Sequence, residues 1–402
     1  MRVYQVNVVC GSGSTGRIAT DLAQTIQKHG GESRIAYGRG DAPKEIDAIK
    51  ISNKLDLYAH VILTRITDRH GLYSRGATKR LIKDICEYNP DIIHLHNIHG
   101  YYVNYEMLFE FLKDYNRPIV WTLHDCWSYT GHCAYFDYAG CEKWETTCFE
   151  CPQKSKYPSS ILKDNSKHNF QRKMKAFTSL ENITIVTVSE WLRRTTKKSF
   201  LKKFTIEKIS NGINLQIMKP TESGLREKYN LENKKILLGV ATVWDERKGL
   251  HIFFELSNCL PEQYKIVLIG LSKQQKEKKP EGILAIDNIS NPVEIAKWYT
   301  AADTFVNTSV EETMGLTTVE AMACGTPVIV MNTTASPELV DDICGKIVEP
   351  NNLVMLKDAI FTINKNKQVS AHCVNHAKKY EKDKQYKQYI DLYKRILCEM
   401  EN

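Results

Sequence analysis

Short apolar runs rich in Val and Ile alternate along this chain with longer amphipathic stretches, the pattern of a parallel sheet joined by crossover helices. In the first half the pattern predicts strands at 3–10, 34–37, 91–96, 118–124 and 183–189, with helices at 18–28, 79–88 and 106–115. It then restarts. Strands are predicted at 235–242, 264–271, 283–287, 304–308 and 327–331, with helices at 251–260, 293–302 and 316–323. The two series meet at Ser210-Asn-Gly-Ile-Asn214, whose Asn-Gly pair is a turn signal, and the domain boundary is placed there. A last helix carries Tyr386, Tyr389, Ile390, Tyr393, Ile396 and Leu397 on one stripe and must dock on something. The predicted fold is α/β, with two doubly wound domains, 1–210 and 211–380, facing across a cleft. The helix at 381–402 is expected to pack back on the first domain. Ligands of open parallel sheets bind outside the strand C-termini, so chemistry is sought in the loops that follow strands.

Composition narrows the class. The 402 residues are 42% hydrophobic and 25% charged, with 21 Gly and 12 Pro, which excludes disordered, collagenous and low-complexity chains. No apolar run approaches the ~18 to 20 residues of a membrane span. The start alternates apolar and polar residues like a strand and shows no signal-peptide pattern, so the expected location is the cytoplasm. Twelve Cys in that setting favour reduced thiols or a metal site over disulfides.

The net charge of +8 is uneven. Residues 1–210 carry 31 Lys+Arg against 22 Asp+Glu, and the remainder 24 against 25. Much of the excess lies at Lys163, Lys167, Arg172, Lys173, Lys175, Arg193, Arg194, Lys197, Lys198, Lys202 and Lys203. Such a cluster suits anionic lipid, nucleic acid or a phosphorylated substrate, or is a solvated helix face.

Gly11-Ser-Gly13-Ser-Thr-Gly16 follows the first strand and opens a helix, which satisfies the dinucleotide pattern literally. The second strand, however, ends Ala36-Tyr-Gly38-Arg39-Gly40 without the carboxylate that would hold an NAD ribose. Arg39 suits a 2′-phosphate, so an NADP-dependent oxidoreductase is one reading. A glycine loop that lets substrate or phosphate approach the backbone is the other.

A sharper constellation runs Glu312-Thr-Met-Gly315-Leu-Thr-Thr-Val-Glu320-Ala-Met-Ala-Cys-Gly325-Thr-Pro327. Gly315 opens a helix, and the amides of Gly315, Leu316 and Thr317 form an anion site at its start. Glu312 and Glu320 flank that site. Two carboxylates about a phosphate-binding helix start suit a ligand that joins diphosphate to hydroxyl-rich rings. Val243-Trp-Asp-Glu-Arg247-Lys248-Gly249 follows the first strand of the second domain, and Lys248 is expected to meet the diphosphate from the opposite side of the cleft. In the first domain, His94, His96, His124 and Asp125 sit at strand C-termini, where imidazole binds a sugar hydroxyl or moves a proton.

Glu312…Glu320 around Gly315, Arg247-Lys248-Gly249, Asn211-Gly-Ile-Asn214, Thr122-Leu-His124-Asp125 and the first glycine loop together resemble the retaining GT-B glycosyltransferases of family 4 (glycosyl transferases group 1). The resemblance covers essentially the whole chain, and the second-domain motif is its most specific part. Within the family the chain is most similar to bacterial colanic-acid and exopolysaccharide-type transferases. The resemblance implies two Rossmann-like domains, the first binding a glycan or lipid-linked acceptor and the second a nucleotide diphosphate sugar. It implies that Glu320 binds the ribose, Glu312 the donor sugar and Lys248 the diphosphate, and that His124 lies by the reacting sugar. Glu312, Lys248 and His124 are thus the catalytic candidates. Arg247, Gly315, Leu316 and Thr317 complete the donor side, and Gly13, Gly16, Arg17 and Asp125 the acceptor side. Front-face displacement with retention is implied, without a catalytic cofactor and without nucleic acid as a partner. The basic excess would then hold the protein peripherally on the anionic inner face of the cell membrane. One departure stands out: the family's Arg five residues before the Lys is Val243 here, and Arg247 is expected to take its phosphate contact. A non-catalytic nucleotide-sugar sensor, a phosphorylase and a sugar-nucleotide epimerase are the neighbouring readings.

Cys126, Cys133, Cys141, Cys148 and Cys151 crowd an insert at about 126–158 that ends Cys148-Phe-Glu-Cys151-Pro. The C-x-x-C hook with two further Cys resembles a four-thiolate zinc knuckle, with Cys133, Cys141, Cys148 and Cys151 as ligands of a structural zinc. Buried thiols are the alternative reading.

Overall fold

The computed structural model describes residues 1–401 and comprises two compact units. One is Met1–Ser210 with the chain from Gln385 on; the other is Asn211–Lys384.

The first unit is a seven-stranded parallel sheet of β1 (Arg2–Val9), β2 (Glu32–Arg39), β3 (Ala48–Lys50), β4 (Ile92–Leu95), β5 (Ile119–Leu123), β6 (Ile183–Thr187) and β7 (Thr205–Lys208), in the order β3-β2-β1-β4-β5-β6-β7. The second has six parallel strands, β8 (Lys235–Val240), β9 (Tyr264–Ile269), β10 (Ile283–Ile286), β11 (Thr304–Asn307), β12 (Val328–Met331) and β13 (Gly345–Val348), in the order β10-β9-β8-β11-β12-β13. Both orders reverse direction once, between β1 and β4 and between β8 and β11. A doubly wound sheet opens its binding crevice at that switch point.

The central strands are buried on both faces, which is why they read as unbroken apolar runs. Sequence patterning missed β3, β7 and β13. Each is a three- or four-residue edge strand with a charged residue facing outward, as in Thr205-Ile-Glu-Lys208.

The terminal helix Lys382–Glu401 buries Tyr386, Tyr389, Ile390 and Tyr393. Two of these tyrosines bond polar side chains of the first sheet. Tyr393 OH lies 2.6 Å from His94 Nδ1 and Tyr389 OH 3.0 Å from Thr122 Oγ1.

The helix Lys54–Thr67 is inverted. It buries His60 and Thr64 and turns Leu55, Tyr58, Ile62, Leu63 and Ile66 outward. His60 is drawn in by two local bonds: its Nε2 accepts from Gly71 N–H and its Nδ1 meets Ser74 Oγ at 2.7 Å.

Candidate active site

In the second unit the predicted residues converge at the switch point. Lys248 lies in the loop after β8 and Glu312 in the loop after β11, and Lys248 Nζ is 2.5 Å from Glu312 Oε1. The two residues, expected to take the diphosphate and the sugar of a donor, form an ion pair with each other. Burial pushes the Glu312 carboxyl up, but the adjacent Lys248 ammonium and its hydrogen bond outweigh burial and hold it below the usual carboxylate range.

Several bonds fix this pair. Asp245 caps the turn Glu246–Lys248, and Thr308 Oγ1 donates to the Lys248 carbonyl at 2.7 Å. Gly249 has φ +67, and a Cβ there would lie 2.5 Å from the Thr308 carbonyl oxygen, so the two loops touch only because the residue is glycine. Glu312 N–H donates to Thr334 Oγ1. Arg247 donates to the Glu311 carbonyl at 3.0 Å and meets Asp245 at 3.3 Å. Its guanidinium thus clamps the same two loops.

Gly315, with φ +86, precedes the helix Leu316–Ala323. The first-turn amides of a helix have no intrahelical acceptor and carry positive partial charge. Glu320 stands on that helix and accepts from Tyr299 OH at 3.2 Å. Asn307, at the end of β11, bonds Thr318 Oγ1 and Ser309 N–H, which ties the strand end to the helix start. An anion-binding helix start, a lysine and two carboxylates are therefore gathered within one unit.

In the first unit, Gly11 N–H donates to the Gly16 carbonyl, closing the glycine loop; Gly13, with φ +63, begins the helix Gly13–Lys28, and Arg17 is exposed. Beside the strand ends runs a hydrogen-bonded chain. Gln5 Nε2 donates to Ala19 O and Ser33 Oγ, so Gln5 Oε1 faces His96 Nε2 at 2.9 Å and accepts its proton. His96 Nδ1 is then the acceptor for His124 Nε2–H at 3.1 Å, which leaves His124 Nδ1 in the accepting form. Burial pushes His124 down to about 4, so the ring is neutral at pH 7. Asp125 is buried against His99 Nε2 at 2.8 Å and accepts from Trp127 N–H.

Two expectations need correction. Lys173 is not part of a basic surface: it is buried, with Nζ on the carbonyls of Trp127 and Thr130 at 2.7 and 3.0 Å. The rest of that cluster is partly neutralised, since Arg172 pairs with Glu106, Arg193 with Glu190 and Lys198 with Glu145.

Cys133, Cys141, Cys148 and Cys151 line one small cavity together with His132, which the sequence reading did not single out. Among the described residues, the set of metal-capable side chains whose ligand atoms all lie within 4.8 Å is a different one, Asp341, Cys344 and His376. There Asp341 Oδ2 meets His372 Nε2 at 2.8 Å and His376 Nδ1 at 2.9 Å.

Two doubly wound parallel units of this topology, the second with a Lys–Glu pair in the loops before a helix start, define an α/β protein of the GT-B type. The chain matches the family model Glycosyltransferase Family 4 over residues 15–217 and that of Glycosyl transferases group 1 over residues 222–380. It belongs to the family 4 glycosyltransferases. It is similar to WcaC of Escherichia coli (strain K12), named for colanic acid biosynthesis glycosyl transfer, at 32% identity over 39% of this chain and 41% of that protein. The chain thus aligns with about two fifths of that relative. An alpha-monoglucosyldiacylglycerol synthase of Acholeplasma laidlawii is 25% identical over 74% of this chain and 69% of its own. Among solved structures, Anabaena Alr3699/HepE, crystallised with UDP-glucose, superposes with a TM-score of 0.67 at 16% identity, covering 98% of this chain and 100% of that one. Family membership displaces the dinucleotide reading of the first glycine loop.

Proposed function

We propose that the protein transfers a glycosyl group from a nucleoside diphosphate sugar to a surface-glycan or lipid-linked acceptor, with retention of configuration. The observation that carries this reading is the Lys248–Glu312 pair at the start of the helix Leu316–Ala323. As the glycosidic bond breaks, negative charge collects on the leaving diphosphate. A lysine and helix-start amides already in position stabilise that charge without reorganising at the moment of reaction. Glu320 offers carboxylate oxygens to the ribose hydroxyls and Glu312 to the sugar. When diphosphate arrives it competes for Lys248, which frees Glu312 for sugar hydroxyls. In the first unit, His124 is the residue proposed to bind a sugar hydroxyl. Zinc or magnesium is not required, because lysine and amides balance the diphosphate.

The acceptor is read as membrane-borne. The exposed face Leu55, Tyr58, Ile62 and Ile66 lies beside Ile161 and Leu162, whose segment is tied on by Ile161 N–H to the Arg65 carbonyl at 2.7 Å. Leu55 is 80% exposed and Ile161 and Leu162 67% each, with Lys54, Arg65, Arg69 and Lys163 exposed around them. An apolar stripe rimmed by cations suits an anionic lipid surface. Among the described residues no helix is long and apolar enough to cross a membrane.

Thermal-shift titration with UDP, GDP, ADP and their sugars tests the donor, because a ligand of the native state raises its apparent stability. Proton NMR of the product anomer tests retention. The reading fails if no nucleotide shifts the transition and no nucleotide sugar is consumed.

A further inference from the structure

The insert that carries the cysteines packs through buried Trp127, Tyr129, Phe136 and Trp144 but forms no backbone ladder. Residues 126–158 contain no strand and only the single-turn helices Trp127–Tyr129, Asp137–Ala139 and Lys143–Glu145. A cross-link stabilises a segment without a backbone ladder, and a metal is one such device.

His132 is the informative residue. Its ring is buried and its Nδ1 lies 2.5 Å from Asp68 Oδ1. Asp68 is itself buried, and its second oxygen accepts from Asn165 N–H at 2.7 Å. Nε2 of His132 has no partner, although the ring lines the cysteine cavity. A buried polar atom left without a partner costs about 1–3 kcal/mol, so a native fold holds one for a reason. A carboxylate on one ring nitrogen, with the other unpartnered on a ring that lines a cavity shared with thiols, is an arrangement that orients a metal-binding imidazole.

The sulfurs are prepared in the same way. Cys148 Sγ accepts from Gly131 N–H at 3.1 Å, and Cys151 accepts from Gln153 N–H. Cys133 and Cys151 share a thiol–thiol hydrogen bond. The hook from Cys148 to Cys151 turns through Glu150 at φ +44, a left-handed conformation that a non-glycine residue adopts at a cost. Lys173 is buried close by, and burial pulls its ammonium down to about 7. Its Nζ sits on two carbonyls and 3.4 Å above the Trp127 ring.

We propose that this cavity is a structural zinc site, with Cys133, Cys148 and Cys151 as thiolate ligands and His132 Nε2 as the fourth. One imidazole and three thiolates close a tetrahedral sphere, so the ion holds the insert rather than acting on substrate. Three thiolates about Zn²⁺ leave one net negative charge, which favours the charged form of the neighbouring Lys173. Asp68 is a positioning residue that fixes the His132 tautomer. The present arrangement is open, since no three of these ligand atoms lie within 4.8 Å of one another among the described residues. Zinc therefore draws the hook inward, releases three thiol protons and contributes its binding energy to the folding of the insert.

The full chain, produced with zinc in the medium and purified without chelator or metal-affinity resin, should carry about one zinc by mass spectrometry. After demetallation, Co²⁺ should bind with thiolate-to-cobalt charge-transfer and tetrahedral d–d absorption. His132→Ala and Cys151→Ser should each abolish that spectrum, with circular dichroism confirming that the variants are folded. Asp68→Asn, which keeps every ligand, should weaken metal binding about tenfold to a hundredfold. Cys141→Ser should leave it intact. Wild-type chain that holds no zinc and shows no cobalt spectrum overturns the site. Metal kept by His132→Ala but lost by Cys141→Ser overturns this ligand set.

Discussion

Lys248 and Glu312, 64 residues apart in sequence, share a 2.5 Å ion pair because their loops follow β8 and β11, the two strands at which the second sheet reverses its order. The pair is charge-neutral as it stands, so a ligand that binds the lysine tightly must compete with the carboxylate for it. A diphosphate does so with more than one negative charge. Lys248→Ala should therefore lower kcat by about a hundredfold to a thousandfold, the cost of one preorganised donor at developing charge. UDP affinity should fall less than kcat. Steady-state assays of nucleotide release check this, and an unchanged kcat would remove Lys248 from the chemistry.

Glu320→Ala should weaken nucleoside diphosphate binding. Loss of a hydrogen bond to a charged acceptor costs ~1.5 to 3 kcal/mol, about tenfold to a hundredfold in Kd. Calorimetry on the folded variant measures it, and equal affinity would take the ribose away from Glu320.

Acid should destabilise the second unit through two carboxyls. Glu312 is raised by burial but held lower still by Lys248. For Asp341, burial is likewise outweighed, here by the His372 hydrogen bond and the Cys344 N–H. Acids held lower in the folded chain than in the unfolded one add stability above about pH 4, and that stability is lost as pH falls through the folded value. Thermal unfolding should thus drop as pH goes from about 5 towards 3, and Glu312→Gln or Asp341→Asn should each flatten the drop. Parallel curves for wild type and both variants would exclude these groups as its source.

Vesicles of anionic lipid should retain the protein at low salt and release it as the Debye length shortens. Ile62→Ser with Ile66→Ser should weaken retention without changing UDP binding. Charge reversal at Lys197, Lys198, Lys202 and Lys203 separates the basic cluster from the stripe as the contact. Sedimentation of wild type with neither anionic nor neutral vesicles would dismiss the lipid surface.

Tyr393→Phe should lower stability by about 1–3 kcal/mol, because His94 Nδ1 would be left buried without its partner. Tyr393→Ala should cost about 3–5 kcal/mol by adding a cavity beneath the terminal helix. Denaturant titration orders the two, and equal midpoints for wild type and Tyr393→Phe would show that the bond contributes nothing.

The paired α/β architecture was legible from sequence because strands buried on both faces must be apolar throughout, as Ile119-Val-Trp-Thr-Leu123 is. The donor-side motif was legible because the chain needs glycine at 249 and 315, where backbone turns left-handed or loops touch, and because its carboxylates keep a fixed spacing along one loop and helix. Pairing was not legible. Spacing suggested that Lys248, Arg247 and Glu312 would each face ligand, but it carried no sign that they also pair with one another, with Asp245 and with the Glu311 carbonyl. Burial was not legible either. Lys173 looks like any lysine of a basic helix, and Leu55, Tyr58, Ile62 and Ile66 have the spacing of a core-facing stripe yet lie outside. Periodicity reports that a helix has two faces; which face is buried depends on what the rest of the chain packs against it. Asp68 and His132 show the same division. Their separation in sequence carries no signal, and only the packed structure brings a carboxylate to one side of that ring and thiols to the other.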